Sequence, residues 1–358
     1  MMRIALLMIL ALGHMVVDFS SGLAHYSLGV LFVPLLDDLH KHTFIYNLIA
    51  FGLQPVFGYI IDRLNMARVA TILGCALVAG GLLLVGQPLL ANILGPMGNA
   101  FYHIGAGVMV WRMFPGKAWP LGVLIGPGAI GISMSSRLAS QLHSYVAPVL
   151  ACLMFIALAV SLWPRVSEYF TRNRITRVPA NAVWIIMLLL VSTAIRSYGG
   201  MSMAFPWKST AIWGILLMFA AATGKMAGGF AADYIGRIRA SVIALVIAAP
   251  LIAWGKAGPG IGITGAFLFQ TTMAVSLLAL FEQMPQNPGF AFGMLCFGLW
   301  VGVFFKQVMQ VQLPANPIWQ LGLILLSCAA LTTALWMQFR GNASEAQSPE
   351  PEPLNTTL

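Results

Sequence analysis

Charge is scarce in this 358-residue chain: Asp, Glu, Lys and Arg together make up only 8% of it. A water-soluble domain needs roughly 25% to cover its surface, so a soluble globule is excluded. Cysteine supplies no framework. Cys75, Cys152, Cys296 and Cys328 each stand alone in an apolar run, without C-x-x-C spacing, which argues against disulfides and a zinc site. The phosphate loop G-x-x-x-x-G-K-[ST] is absent and no polar segment could hold a nucleotide domain, so ATP-driven pumping by this chain is excluded. Neither H-E-x-x-H nor G-x-S-x-G occurs in an apolar run, which leaves an intramembrane enzyme without a catalytic set. The excess of 19 basic over 10 acidic residues, a net charge of +9, is scattered between apolar runs and forms no nucleic-acid patch. The first apolar run is too long for a cleavable signal peptide and carries no small-residue cleavage motif.

Apolar residues are what the chain has: 59% of it, with 36 glycines and 20 methionines and a mean hydropathy of +0.86. This is the composition of a polytopic membrane protein, whose helices pack closely through small residues. A helix needs about 20 apolar residues to cross a bilayer. Breaks at charges, prolines and glycine-rich turns predict spans over 4–36, 43–61, 69–86, 88–112, 119–138 and 140–163. After a polar linker, 164–180, come 181–205, 209–232, 240–255, 260–281, 289–312 and 317–339. The expected fold is all-α: twelve transmembrane helices in two pseudo-symmetric six-helix bundles, 1–163 and 181–340, with a disordered cytoplasmic tail over 341–358. The glycosylation-like N-A-S and N-T-T triplets of that tail are read as coincidental.

Orientation follows from the basic residues. With the N-terminus cytoplasmic, the inner side receives Arg3, Arg63, Arg68, Arg112, Lys117, Arg165, Arg172, Arg174, Arg177, Arg237, Arg239 and Arg340. The outer side receives Lys41, Lys208 and Lys256. Both termini are therefore expected in the cytoplasm, with the protein in the inner (cytoplasmic) membrane.

The chain repeats itself. A shift of 171 residues carries Gly58, Asp62 and Arg68 onto Gly229, Asp233 and Arg239, Gly122 onto Gly293, and Asn99 onto Gln270, an amide for an amide. At a shift of 178, Gly22 falls on Gly200. Six helices per half keep both halves in one orientation, a parallel repeat about the membrane normal, and such repeats place the substrate between the halves near mid-membrane.

The doubled triple carries a resemblance. Gly58-Tyr-Ile-Ile-Asp62-Arg63-Leu-Asn-Met-Ala-Arg68 and Gly229-Phe-Ala-Ala-Asp233-Tyr-Ile-Gly-Arg237-Ile-Arg239 resemble the loop signature of the major facilitator superfamily, with Asn65 replacing a glycine in the first copy and Tyr234 an arginine in the second. The resemblance implies a conformational latch, with the carboxylate facing the next helix's positive N-terminus. Gly122-Val-Leu-Ile-Gly126-Pro127-Gly-Ala-Ile-Gly131 is similar to the helix-five motif of the superfamily's proton-coupled exporters; ordinary glycine-rich packing is the alternative. Gly98-Asn-Ala-Phe-Tyr-His103-Ile-Gly-Ala-Gly resembles the fosmidomycin-resistance-type exporters, with Ile104 where proline is usual.

Ionisable groups at mid-membrane are costly and are read first as functional. In the first span His14, Asp18 and His25 stand at i, i+4 and i+11, one polar stripe with Asp18 near its centre. Asp18 and His103 are the expected proton-coupling groups; a structural Asp18 bonded to a neighbouring helix is the alternative. Arg196, four residues before Gly200 as Asp18 is before Gly22, is the expected counterpart, binding an anionic substrate or pairing with Asp18 in alternation. Asn99, Gln270, Lys306, Trp300, His14 and His25 complete the expected substrate-binding set, with packing as the alternative for His103 and Trp300 and snorkelling to the outer face as the alternative for Lys306. Arg137 and Lys225, nearer span ends, read as structural, and His40 and His42 beside Lys41 are not read as a metal site. The expected activity is secondary transport of a small anionic or zwitterionic organic compound, most simply proton-coupled export by a monomer, with no metal, cofactor or nucleic acid. Proton-driven uptake of an organic anion is the second reading; a transport-dead receptor or assembly factor on the same fold is the third.

Overall fold

The computed structural model describes residues 1–32, 39–141, 148–149, 151–153, 155–156, 181–314 and 316–346. Most of the expected sixth span, the linker 164–180 and the tail beyond 346 lie outside the described residues. Among the described residues every regular element is helical. The first half contributes α1 (Met2–Phe32), α2 (Leu39–Asn47), α3 (Gln54–Arg63), α4 (Ala67–Leu83), α5 (Pro88–Met113) and α6 (Trp119–Leu138). The second contributes α7 (Ala182–Met201), α8 (Ala211–Ile235), α9 (Arg237–Ala253), α10 (Pro259–Gln270), α11 (Met273–Gln283), α12 (Pro288–Val303) and α13 (Pro317–Ala346).

Eight helical segments among the described residues are long and apolar enough to cross a membrane. Ala67–Leu83 is a shorter apolar helix, while Pro88–Met113 spends length on Asn92, Asn99, His103 and Arg112. Proline marks the starts: Pro88, Pro120, Pro259, Pro288 and Pro317 sit in first turns, where a missing N–H costs nothing. Three expected spans leave the α-helix inside their bounds, the eleventh through a π-helical turn at Phe304–Val308. The second bends through a π-helical turn, Leu48–Gly52, ahead of Pro55; the tenth breaks at Thr271 and Thr272 between α10 and α11. The last helix continues through Ala346, so residues 341–346 are helical where a disordered tail was expected. Trp184, Leu326, Phe339 and Leu83 are exposed on the outside of the bundle, as lipid contact demands.

Within the first half α1 packs on α4, α5 and α6; within the second α7 packs on α12 and α13, and α9 on α10 and α13. The most extensive packing between the halves is that of α6 with α8 and of α3 with α12; α5 with α12 and α6 with α11 add to it. Both main joints are built on glycine. A Cβ on Gly122 would strike the backbone of Lys225, and one on Gly293 would strike the backbone of Gln54. The shift of 171 carries Gly122 onto Gly293 and Gln54 onto Lys225, so the same contact is made twice.

Candidate functional site

Between the halves lies a cavity of about 230 Å³. The first half lines it with His14 and Asp18 of α1, Tyr46 of α2, Phe51, Asn99 and His103 of α5, and Gly128 of α6. The second half answers with Met273, Leu277, Phe292, Leu295, Cys296 and Leu299, an apolar wall interrupted by Lys225 of α8. Apart from that lysine, the hydrogen-bonding groups of the chamber thus come from the first half, beside its apolar Phe51, Ile125, Ala129 and Ile132, while the second half offers an apolar surface with one cation.

Asp18 is the centre of the polar side and is 8% exposed. Its Oδ2 lies 3.3 Å from His14 Nε2 and its Oδ1 3.0 Å from His103 Nε2. Asn99 Nδ2 donates to Oδ1 at 2.6 Å. Helical spacing brings His14 over Asp18 on α1, and Asn99 over His103 on α5. Gly128 of α6 lets the cluster sit close, since a Cβ there would collide with Asp18 and His14.

The protons of this cluster can be placed by elimination. His14 Nδ1 lies 2.8 Å from the Leu124 carbonyl, which can only accept, so Nδ1 carries hydrogen. A neutral imidazole then presents a bare lone pair at Nε2, aimed at a carboxylate oxygen. Two acceptors facing each other in a buried site repel unless a cation stands between or on them. His103 Nε2 approaches Asp18 without hydrogen-bond alignment and has no other partner. Its Nδ1 lies 3.5 Å from the Gln54 carboxamide, whose Oε1 is also without a partner.

Lys225, read as structural because it falls nearer a span end, stands well inside α8. It stands in the cavity wall and makes no hydrogen bond or ion pair among the described residues. Helix α8 runs from 211 to 235, so Lys225 is ten residues, about 15 Å at the helical rise, from the nearer end.

Arg196 does not meet Asp18. It is 4% exposed inside the second half, where Nη1 donates to Ser276 Oγ at 3.1 Å, Nη2 contacts Met273 Sδ, and Nε has no partner. Met273 thus separates the guanidinium from the cavity that it lines. His25 is also off the cavity: Nδ1 lies 3.4 Å from Asn92 Oδ1 and the ring packs 4.4 Å from that of Tyr46. It shares the face of Asp18 but stands seven residues along the axis, about 10 Å away. Gln270 ends α10 and does not line the cavity. Trp300 packs with Phe44, Phe297 and Phe304 beside Gly52, outside the lining. Lys306 donates to Gln312 Oε1 at 2.8 Å, also away from the cavity.

The signature loops form two grips between the halves. Asp62 accepts from the backbone N–H of Gly289 at 2.9 Å and of Phe290 at 2.8 Å, at the start of α12. Asp233 accepts from Ala118 N at 3.0 Å and Trp119 N at 2.9 Å, at the start of α6. The 171-residue shift carries Asp62, Ala118 and Trp119 onto Asp233, Gly289 and Phe290, so the two grips are one interaction used twice. The helix gripped belongs to the opposite half, not the next helix in the chain as expected. Gly58 and Gly229 lie against the backbones of Gly289 and Ala118, where no Cβ fits. Arg237 pairs with both oxygens of Glu282, at 2.5 and 2.9 Å, and donates to Gly116 O across the halves. Arg239 and Lys117 line the cleft beside it. Arg63 lies 5.6 Å over the Tyr59 ring, and Arg68 enters the first turn of α4. Gly126 sits against Met226 of α8, and Pro127 follows inside α6.

No family model matches the chain, and no curated protein matches it. Solved structures do. The major facilitator superfamily proton:xylose symporter XylE, bound to 6-bromo-6-deoxy-D-glucose, is 13% identical, with 94% of this chain and 95% of that one covered at a TM-score of 0.64. The E. coli fucose:proton symporter FucP is 10% identical over 92% and 98%, with a TM-score of 0.60. A bacterial homologue of the iron transporter ferroportin, outward-facing, is 14% identical over 94% and 99%, with a TM-score of 0.56. At such identities the likeness is one of fold. The chain has the fold of the major facilitator superfamily transporters.

Proposed function

We propose that this protein is a proton-coupled secondary transporter that carries a small anionic or zwitterionic organic compound by alternating access. The observation that supports it most is the buried Asp18 held by His14, His103 and Asn99, facing unpaired Lys225 across a chamber between two halves. The mismatch at His14 Nε2 and Asp18 Oδ2 gives a proton a reason to bind there. Lys225, with Arg196 behind Met273, supplies the positive side that an anionic group requires. A chamber of about 230 Å³ limits the cargo to a small molecule. Gln270, Lys306, Trp300 and His25 are not assigned to this closed chamber.

The grips at Asp62 and Asp233 close one end of the molecule, and breaking them opens it. With both termini cytoplasmic, that end is the cytoplasmic one. Export is favoured by the glycine-proline motif of α6, whose Gly122 and Gly126 form the joint to α8. Uptake is the second reading, because two of the proteins with a similar fold are proton symporters.

Proteoliposomes loaded with a panel of organic acids and given an imposed pH gradient test the reading. Wild-type protein is expected to move an acid against its gradient. Asp18→Asn is expected to lose that drive while still exchanging labelled for unlabelled substrate. Undiminished pH-driven accumulation by Asp18→Asn would overturn the coupling assignment.

A further inference from the structure

The mismatch that a proton can relieve has a second solution. We infer that His14, Asp18 and His103 form a binding site for a divalent transition-metal cation, in the class of Zn²⁺ and Co²⁺. One donor atom from each lies within 4.8 Å of the others, and all three residues are buried. Four ligands at about 2.0 Å around zinc stand roughly 3.3 Å apart along a tetrahedral edge. His14 Nε2 lies 3.3 Å from Asp18 Oδ2 and His103 Nε2 3.0 Å from Oδ1, so each imidazole stands at about that spacing from its own carboxylate oxygen, and a small turn of the carboxylate brings one oxygen between the two rings. The donor set, two imidazoles and a carboxylate, suits a borderline metal better than Ca²⁺ or Mg²⁺, which favour oxygen.

The surroundings point the same way. Metal-binding imidazoles bond a fixed acceptor through their other nitrogen, and His14 Nδ1 does so with Leu124 O at 2.8 Å. His103 Nε2 is buried, close to Asp18 and without a hydrogen bond, as a ligand atom would be. Gln54 Nε2 is held by the Ala50 carbonyl at 2.5 Å, so binding of a cation at His103 Nε2, which moves the ring hydrogen to Nδ1, gives up the 3.5 Å contact between Nδ1 and that amide. Asn99 holds Asp18 Oδ1 at 2.6 Å and so orients the carboxylate. Three protein ligands leave a fourth position towards the cavity. Lys225 faces that space, so the fourth ligand is an anion; this last point alone rests on reading the cavity as the substrate site.

Co²⁺ titrated into the purified full-length protein in detergent tests the inference. One equivalent is expected to give the intense visible bands of four-coordinate cobalt, bleached by Zn²⁺. His14→Gln, Asp18→Asn and His103→Gln are each expected to weaken binding by at least about tenfold, while His25→Asn, away from the cavity, leaves it intact. Unchanged thermal unfolding profiles of the metal-free variants show that they are folded; should Asp18→Asn not fold, the two histidine variants decide. No bands in the wild type, or bands that persist in the folded triad variants, would overturn the site. Either result leaves the proton reading untouched, because that is decided by flux in proteoliposomes.

Discussion

Single side chains in this chamber differ in what their loss costs. Asn99→Ala removes a short bond to a buried carboxylate and leaves it under-satisfied, a change worth about 1–3 kcal/mol. A lower unfolding midpoint in detergent is the expected result. Lys225→Met is the opposite case. An unpaired cation in a low-dielectric wall costs stability, so the variant is expected to unfold no earlier than wild type. Its affinity for an organic anion should nevertheless fall by about tenfold or more, read as loss of ligand-induced thermal stabilisation. At this scale the sequence was informative where spacing decides. His14 with Asp18, and Asn99 with His103, lie one turn apart on single helices, and their convergence needed only that α1 and α5 pack. The distance between Arg196 and Asp18 was not legible, because matched depth in two helices says nothing about rotation. The face of α7 that bears Ser192 and Arg196 turns into its own half. The depth of Lys225 was hidden for a different reason: α8 continues to Ile235, three residues past the expected end at 232, so a central lysine looks peripheral in the sequence.

At the scale of elements, the helix starts gripped by Asp62 and Asp233 carry the argument. A carboxylate on two N-terminal amides gains from both bonds and the helix dipole, about 0.5–2 kcal/mol at each site. Asp62→Asn and Asp233→Asn are each expected to weaken closure of that end by this amount. The two sites share no partner, so the double variant should be additive within about 0.5 kcal/mol. The measurement is the labelling rate of a cysteine placed between the grips. Gly58→Val should act more severely, because it forces apart two backbones rather than removing a bond. The repeated Gly-Asp-Arg spacing made these loops legible, but not their partners. A helix N-terminus has no residue signature of its own, and Ala118 and Gly289 lie far away in the chain. The breaks at Leu48–Gly52 and at Thr271–Thr272 were illegible for a related reason: apolar composition continues through them, and only tertiary packing decides where the backbone departs from the helix.

For the whole molecule, the native thiols offer a reporter. All four cysteines are free and buried, and Cys296 lies in the chamber wall. A variant retaining Cys296, with Cys75, Cys152 and Cys328 replaced by serine or alanine, should react slowly with a small maleimide. Reaction should quicken when Asp62 and Asp233 are both neutralised, and slow again when substrate fills the chamber. Equal rates in all three conditions would mean that the grips do not control access. The overall architecture was the most legible level of all, because lipid imposes apolar runs of one length whatever the chemistry inside them. What the runs cannot encode is which faces turn inward, and that is where the expected site and the observed chamber part.

Because the two grips repeat one contact, each between opposite halves, releasing one leaves the bundles tethered by the other. They can then swivel about the surviving contact but cannot gape evenly, and the vestibule formed is skewed and narrow. A wide, symmetrical mouth demands that both clasps let go together.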